Sequence, residues 1–162
     1  MRSSAGRNTW SAPGNTSNHL GGSLDPHAGF LLARGAKTLA LVEFLAARPE
    51  IGEANCPGLA SHPDHSRAAE LFDVFGGMLS LRPTGGVEAA RALIDAVQLP
   101  YDAPSLGGVE SLITRPAATS HAGMCRADRQ SLGITDALVR VSVGIENRED
   151  LIADFAQAVK NL

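Results

Sequence analysis

Lysine is nearly missing from this 162-residue chain: of its 14 basic residues, only Lys37 and Lys160 are lysines. Any chemistry that needs a nucleophilic amine therefore has two candidates. Cysteine is as sparse. Cys56 and Cys125 lie far apart, without metal-ligand spacing, and read as two unpaired thiols of a cytoplasmic protein. No apolar run approaches the length of a membrane span, which argues against a membrane partner. Positive charge is not in excess either. A formal net charge of −3 gives a nucleic-acid partner no electrostatic support. Acidic residues are absent before Asp25, so the first 24 residues carry only Arg2 and Arg7, and the rest holds 12 basic against 17 acidic residues.

What is present is a composition of 44% hydrophobic and 19% charged residues, that of a globular domain with its own core. Residues 1–18 are the exception. They are rich in Ser, Asn, Gly and Arg, show no hydrophobic period and lack the apolar core of a secretory signal, so they read as a disordered or non-native leader. Asp25 and Pro26 then start a helix, as cap and first helical residue, that runs to about residue 47 and ends before Pro49. A second helix is expected over 66–75, closed by Gly76 and Gly77. Residues 78–82 alternate like a strand with Leu79 and Leu81 on one face. A third helix follows Gly86, its stripe formed by Val87, Ala90, Ile94 and Val97.

The stretch Pro-Ser-Leu-Gly-Gly at 104–108 is a turn that enters a strand near Leu112 and Ile113. It is either a plain tight turn or one whose open backbone admits a small anion. A short helix is expected over 126–132. The clearest strand is 138–144, where Val139, Val141 and Val143 face one way and Leu138, Arg140 and Ser142 the other. Asn147 then caps a final helix with Glu149 and Asp150 in its first turn and Leu151, Ile152, Phe155 and Val159 on its buried side. Strands alternating with one-sided helices predict a small sheet with helices on one face, leaving Ser80, Arg82, Arg140 and Ser142 on the other.

Among residue types that carry chemistry, His62 and His65 are three apart, but Pro63 intervenes and no third ligand follows nearby. His121 reads as a hydrogen-bonded loop residue. Arg140 is more informative. An arginine between valines in mid-strand either meets an anion or lies on a solvated edge. Guanidinium grips a carboxylate with two parallel hydrogen bonds.

Several segments in order carry a resemblance: Gly-Gly-Ser-Leu-Asp-Pro-His at 21–27, Arg-Gly-Ala-Lys-Thr at 34–38, Pro-Gly-Leu at 57–59 with Ser-His-Pro at 61–63, Phe-Gly-Gly at 75–77, Ser-Leu-Gly-Gly-Val-Glu-Ser-Leu at 105–112, and Leu-Val-Arg-Val-Ser-Val-Gly-Ile-Glu at 138–146. Together they resemble the C-terminal part of the pyridoxal-phosphate (PLP) enzymes of cysteine and methionine metabolism. This trans-sulfuration family holds cystathionine γ-synthase, cystathionine γ-lyase, homoserine sulfhydrylases and methionine γ-lyase. The resemblance covers about residue 18 to the C-terminus.

The resemblance implies an α/β chain of the α+β type, the small C-terminal domain of a fold-type I PLP-dependent transferase. Its sheet would be mostly antiparallel with helices on one face, preceded by part of a long linking helix. The expected division is a leader at 1–18, a remnant of the interdomain segment and long helix at 19–47, and the small domain at 48–162. The resemblance implies that Ser105 and Arg140 bind the α-carboxylate of an amino-acid substrate, cystathionine or a homoserine ester. It implies PLP as the family's cofactor. The Schiff-base lysine and the other cofactor-holding groups belong to a preceding domain that this sequence does not match. No catalytic, cofactor-binding or metal-binding residue is therefore expected here, and the chain alone is a poor candidate to hold PLP. Lys37 matches a family lysine of the long helix, not the Schiff-base lysine. A second departure falls at Leu41 and Val42, where roughly a dozen or more residues of the family's helix and its continuation have no counterpart, on the order of four helical turns.

These observations imply a truncated trans-sulfuration enzyme, γ-synthase- or γ-lyase-like, that keeps the carboxylate-binding domain of a carbon–sulfur lyase or transferase and is inactive alone. Pro104, before Ser105, places no acidic side chain beside the pocket. The alternative is a non-catalytic partner of a full-length homologue. Partners would be that homologue or further copies of the chain, in the cytoplasm.

Overall fold

The computed structural model describes residues 26–162. The expected leader and the Asp25 cap lie outside the described residues, as do the side chains of Phe30 and Leu31. The chain divides into two units, 1–31 and 32–162. Of the first, only the opening of helix α1 is described.

Helix α1 runs Pro26–Ala46 without interruption. Thr38, Leu41, Val42 and Leu45 are buried along it. Their spacing of three, four and seven residues is that of one helical face, so the inward stripe passes through the Leu41–Val42 junction in register. The helix closes with Arg48 lying over the Phe44 ring, 4.1 Å from its centroid.

Five strands form one sheet in the order β1-β2-β5-β4-β3. They are β1 (Ile51–Asn55), β2 (Met78–Pro83), β3 (Tyr101–Asp102), β4 (Leu112–Thr114) and β5 (Val139–Ser142). The pairs β1–β2, β2–β5 and β4–β5 are antiparallel and β3–β4 is parallel, the mostly antiparallel sheet expected. Strand β5 is central, with β2 on one side and β4 on the other. Its Val139 and Val141, and Val143 just past its end, are fully buried. They meet Leu79, Leu81 and Ile113 of the neighbouring strands.

Three helices close over this face: the second half of α1, α3 (Gly86–Ala96) and α5 (Arg148–Val159). From them come Leu41, Leu45, Ala90, Leu93, Leu151 and Phe155. The inward side of α3 differs from the expected stripe. Ala90, Leu93 and Val97 are buried while Val87 and Ile94 are only half-buried, because the helix is rotated to present Leu93 to the sheet. Helix α5 starts as expected, with the Asn147 side chain accepting from the N–H groups of Glu149 and Asp150.

Helix α2 (His65–Leu71) ends earlier than the expected residue 75. Phe72 is extended, with φ −132° and ψ 136°. The chain turns there so that the Phe75 ring can stack on His65, at 5.7 Å between centroids, and pack against Gly58. Helix α4 (Arg126–Ser131) forms where expected, with the Cys125 sulfur accepting from the Asp128 N–H. A 3-10 turn at Pro116–Ala118 follows β4.

One buried acid lies away from the polar sheet face. Asp154 of α5 accepts hydrogen bonds from the backbone of Gln98 and Leu99 and from the Gln157 side chain. It fixes the α3–β3 connection to α5.

Candidate functional site

The polar face of β5 is where the expected site residues meet. Arg140 is opposite Ser80 on β2 and Thr114 on β4. It therefore occupies an interior strand, and the alternative of a solvated edge arginine falls. Ser142, two residues on, shares its face.

The 104–108 turn folds back over this face. Its start is held to β4 by the Ala103 N–H, which donates to the Ile113 carbonyl at 3.1 Å. The Arg140 Nη2 donates to the carbonyls of Pro104 and Ser105, each at 2.8 Å. The Gly107 N–H donates to the Ser142 hydroxyl at 3.2 Å. Gly107 has φ +89°, a conformation that a residue with a Cβ rarely adopts, and this is why the turn carries glycine there. Gly144 answers a different need. A Cβ on it would collide with the Val109 carbonyl and the Glu110 backbone, so its hydrogen lets the exit of the turn lie directly on the end of β5.

Ser105 and Arg140 are thus brought together, through the Ser105 carbonyl rather than its hydroxyl, and Ser105 is exposed. The Arg140 Nε is buried with no hydrogen-bond partner. A guanidinium with an orphaned donor and neutral carbonyls on one nitrogen is under-satisfied, since a carboxylate makes shorter and stronger bonds to it than a carbonyl does. Beside Arg140 opens a cleft of about 300 Å³, lined by Asn55, Cys56, His62, Met78 and Ser80. A larger cavity, about 540 Å³, lies around α2 between Arg67, Leu71, Phe72 and Phe75. It is mostly apolar and does not include Arg140.

The other expected candidates are occupied locally. The His62 Nδ1 accepts from the Asp64 N–H, and the His65 Nδ1 bonds the Pro57 carbonyl, so the histidine pair serves its own loop. His121 bonds Ser120. Cys56 is buried, and that burial pushes its thiol pKa up. Sequence reasoning missed Glu146 and Ser111. The Glu146 carboxylate accepts from both the N–H and the hydroxyl of Ser111, at 2.6 and 2.8 Å. Its place at the end of the 138–146 motif was the only signal.

The family model for Cys/Met metabolism PLP-dependent enzymes matches residues 4–160. The chain belongs to this family. It is 39% identical over 155 residues to cystathionine γ-synthase 1, chloroplastic, of Nicotiana tabacum, covering 88% of this chain and 29% of that protein. It is 41% identical over 157 residues to cystathionine γ-lyase of Bacillus subtilis, covering 90% of this chain and 41% of the lyase. Cystathionine γ-synthase from Xanthomonas oryzae pv. oryzae, solved in complex with cystathionine, superposes with a TM-score of 0.78 at 39% identity, over 82% of this chain and 34% of that one. The chain thus spans well under half the length of these relatives. Its sheet and helices are those of a small domain of the family's fold-type I enzymes.

The family is PLP-dependent. The described residues of this family member do not fit the cofactor. Covalent attachment needs a lysine whose amine is aimed at PLP. The Lys37 ammonium instead donates to the carbonyls of Ile145 and Glu146, at 2.6 and 2.8 Å, tying α1 to the segment after β5. Lys160 is exposed at the end of α5. What the described residues do arrange is the Arg140 guanidinium against the 104–108 turn, with its Nε lacking an acceptor. Among the described residues, no helix is long and apolar enough to cross a membrane.

Proposed function

We propose that this chain is the substrate-carboxylate-binding part of a trans-sulfuration enzyme acting on carbon–sulfur bonds of amino acids, and that Arg140 and the Ser105 turn hold the carboxylate. The observation that carries the reading is Arg140 itself: an arginine on an interior strand, pressed against the turn, with a buried donor lacking an acceptor. A carboxylate entering here takes the guanidinium from the two carbonyls, and the exposed Ser105 on the adjoining turn supplies a hydroxyl for the same anion. Names of relatives point to thioether amino acids, and the cystathionine held by the Xanthomonas oryzae enzyme is of that class. Synthase and lyase relatives match about equally well, so the reading is of the shared carboxylate grip.

PLP chemistry belongs, in this reading, to the part of the relatives that this chain does not span. The 162 residues bind and orient; turnover requires the remainder. The test is intact-mass analysis of the purified chain after incubation with PLP and borohydride, with peptide mapping. No site-selective adduct is the expected result. A stoichiometric adduct confined to Lys37 or Lys160 contradicts it.

A second reading has its own observation. Leu106, Val109 and Ile145 are exposed around the turn, beside exposed Tyr101. Such a patch favours a chain that docks, without catalysis, on a full-length homologue or on a copy of itself in the cytoplasm. Co-purification of a full-length homologue with the tagged chain supports docking. Its absence at micromolar concentrations of both argues for the first reading alone.

A further inference from the structure

The turn that presents Ser105 has little apolar anchorage. Leu106 and Val109 are exposed, as are Ser105, Gly107 and Glu110. Polar ties must set its position. Those at its entry come from Arg140 and Ser142. Those at its exit converge on Glu146.

The Glu146 carboxylate engages Ser111 twice, through N–H and hydroxyl. The Ser111 hydroxyl also accepts from the Gly144 N–H at 2.8 Å, and Ser111 is fully buried. The Ile145 N–H donates to the Val109 carbonyl at 2.9 Å. The backbone of Ile145 and Glu146 is itself held from α1 by Lys37. One carboxylate therefore closes a polar loop running from α1 through the end of β5 to the exit of the turn. Bonds to a charged acceptor are about twice as strong as neutral ones, and half-burial reduces their screening.

We propose that Glu146 is a positioning residue for the carboxylate site: acting through Ser111, it sets where the 104–108 turn stands against Arg140. This rests on the reading of Arg140 and Ser105 given above. It goes beyond that reading in assigning the turn's geometry to a side chain that touches no substrate. Glu146→Ala leaves two donors of Ser111 without an acceptor and frees the exit. Glu146→Gln keeps one acceptor but turns an amide N–H₂ toward the other donor.

The test uses the full 162-residue chain and two readouts. One is the affinity for L-cystathionine by calorimetry. The other is backbone amide exchange at residues 107–111 against residues 139–142 of β5. Glu146→Ala is expected to weaken cystathionine binding about tenfold and to speed exchange at 107–111 by a similar factor, with β5 unchanged. Glu146→Gln is expected to fall between. If Glu146→Ala does not fold, Glu146→Gln and Ser111→Ala carry the comparison. Exchange at 107–111 equal to wild type in the folded variants overturns the proposal. If wild type binds no cystathionine but the variants loosen the turn, the carboxylate reading fails while Glu146 keeps its role as anchor of the turn.

Discussion

Arg140 and Ser142 stand on one face of β5 and hold successive parts of the same turn. Arg140 takes the carbonyls of Pro104 and Ser105, and Ser142 takes the Gly107 N–H. The polar face of the sheet is thus organised around a loop that leaves directly from the edge strand β3. The same guanidinium that positions the loop is the group that would receive an anion.

Arg140→Lys should therefore lose more than its unchanged charge implies. A point-charge ammonium cannot offer a carboxylate the two parallel hydrogen bonds of the planar guanidinium. Cystathionine affinity measured by calorimetry is expected to fall by about tenfold or more, equivalent to roughly 1.4 kcal/mol. Retained affinity in Arg140→Lys means that the guanidinium geometry is not used.

Asp154 yields a stability prediction independent of the site. It is buried and accepts from two backbone N–H groups and an amide side chain. Asp154→Ala leaves those donors without an acceptor and should cost about 2–4 kcal/mol by urea denaturation, with Asp154→Asn costing less. A change below about 0.5 kcal/mol in Asp154→Ala, the range of ordinary surface substitutions, counts against the staple.

The two cysteines should separate chemically. Cys125 is exposed and Cys56 is buried. A thiol reagent at neutral pH is expected to label Cys125 first and Cys56 only as the chain unfolds. Equal labelling rates in the native chain contradict the burial.

Burial of Cys56 also has a pH consequence. It raises the thiol pKa in the folded chain. Above the ordinary thiol range, beginning near about 8.5, the unfolded chain loses this proton while the folded chain keeps it. The folded state then binds more protons, so its stability falls as pH rises from the unfolded pKa toward the folded one and is unaffected at neutral pH. Denaturation midpoints of wild type and Cys56→Ala between pH 7.5 and 10 check this. The wild type should lose more stability across that range than the variant, and parallel curves rule the thiol out.

Much of this was legible in the sequence because the strongest signals are periodic. Val139, Val141 and Val143 marked β5, and Arg140 stood out against them. Asn147 marked the start of α5. What was not legible has physical reasons. Strand β1 reads Ile-Gly-Glu-Ala-Asn, with little strand propensity, and exists because β2 pairs with it and Arg82 meets Glu53 across the pair. Strand β3 is two residues long. Helix α2 stops early because a tertiary contact, Phe75 on His65, outweighs local helical preference. Within the site, residue types identified Arg140 and the glycine turn. Glu146 carried no sign of its role beyond its place in the 138–146 motif, because an acid just before a helix start looks like solvated surface, and only the fold brings Ser111 to it.

The measurement that tests the central claim most directly is a titration of the ¹⁵N-labelled chain with L-cystathionine, following the Arg140 Nε–H signal and the amides of residues 105–108. The account predicts saturable shifts at both, largest at the Nε–H that now lacks an acceptor, and loss of the shifts at residues 105–108 in Arg140→Ala. Unmoved signals at millimolar ligand, or shifts that persist in Arg140→Ala, would contradict a carboxylate site built on Arg140.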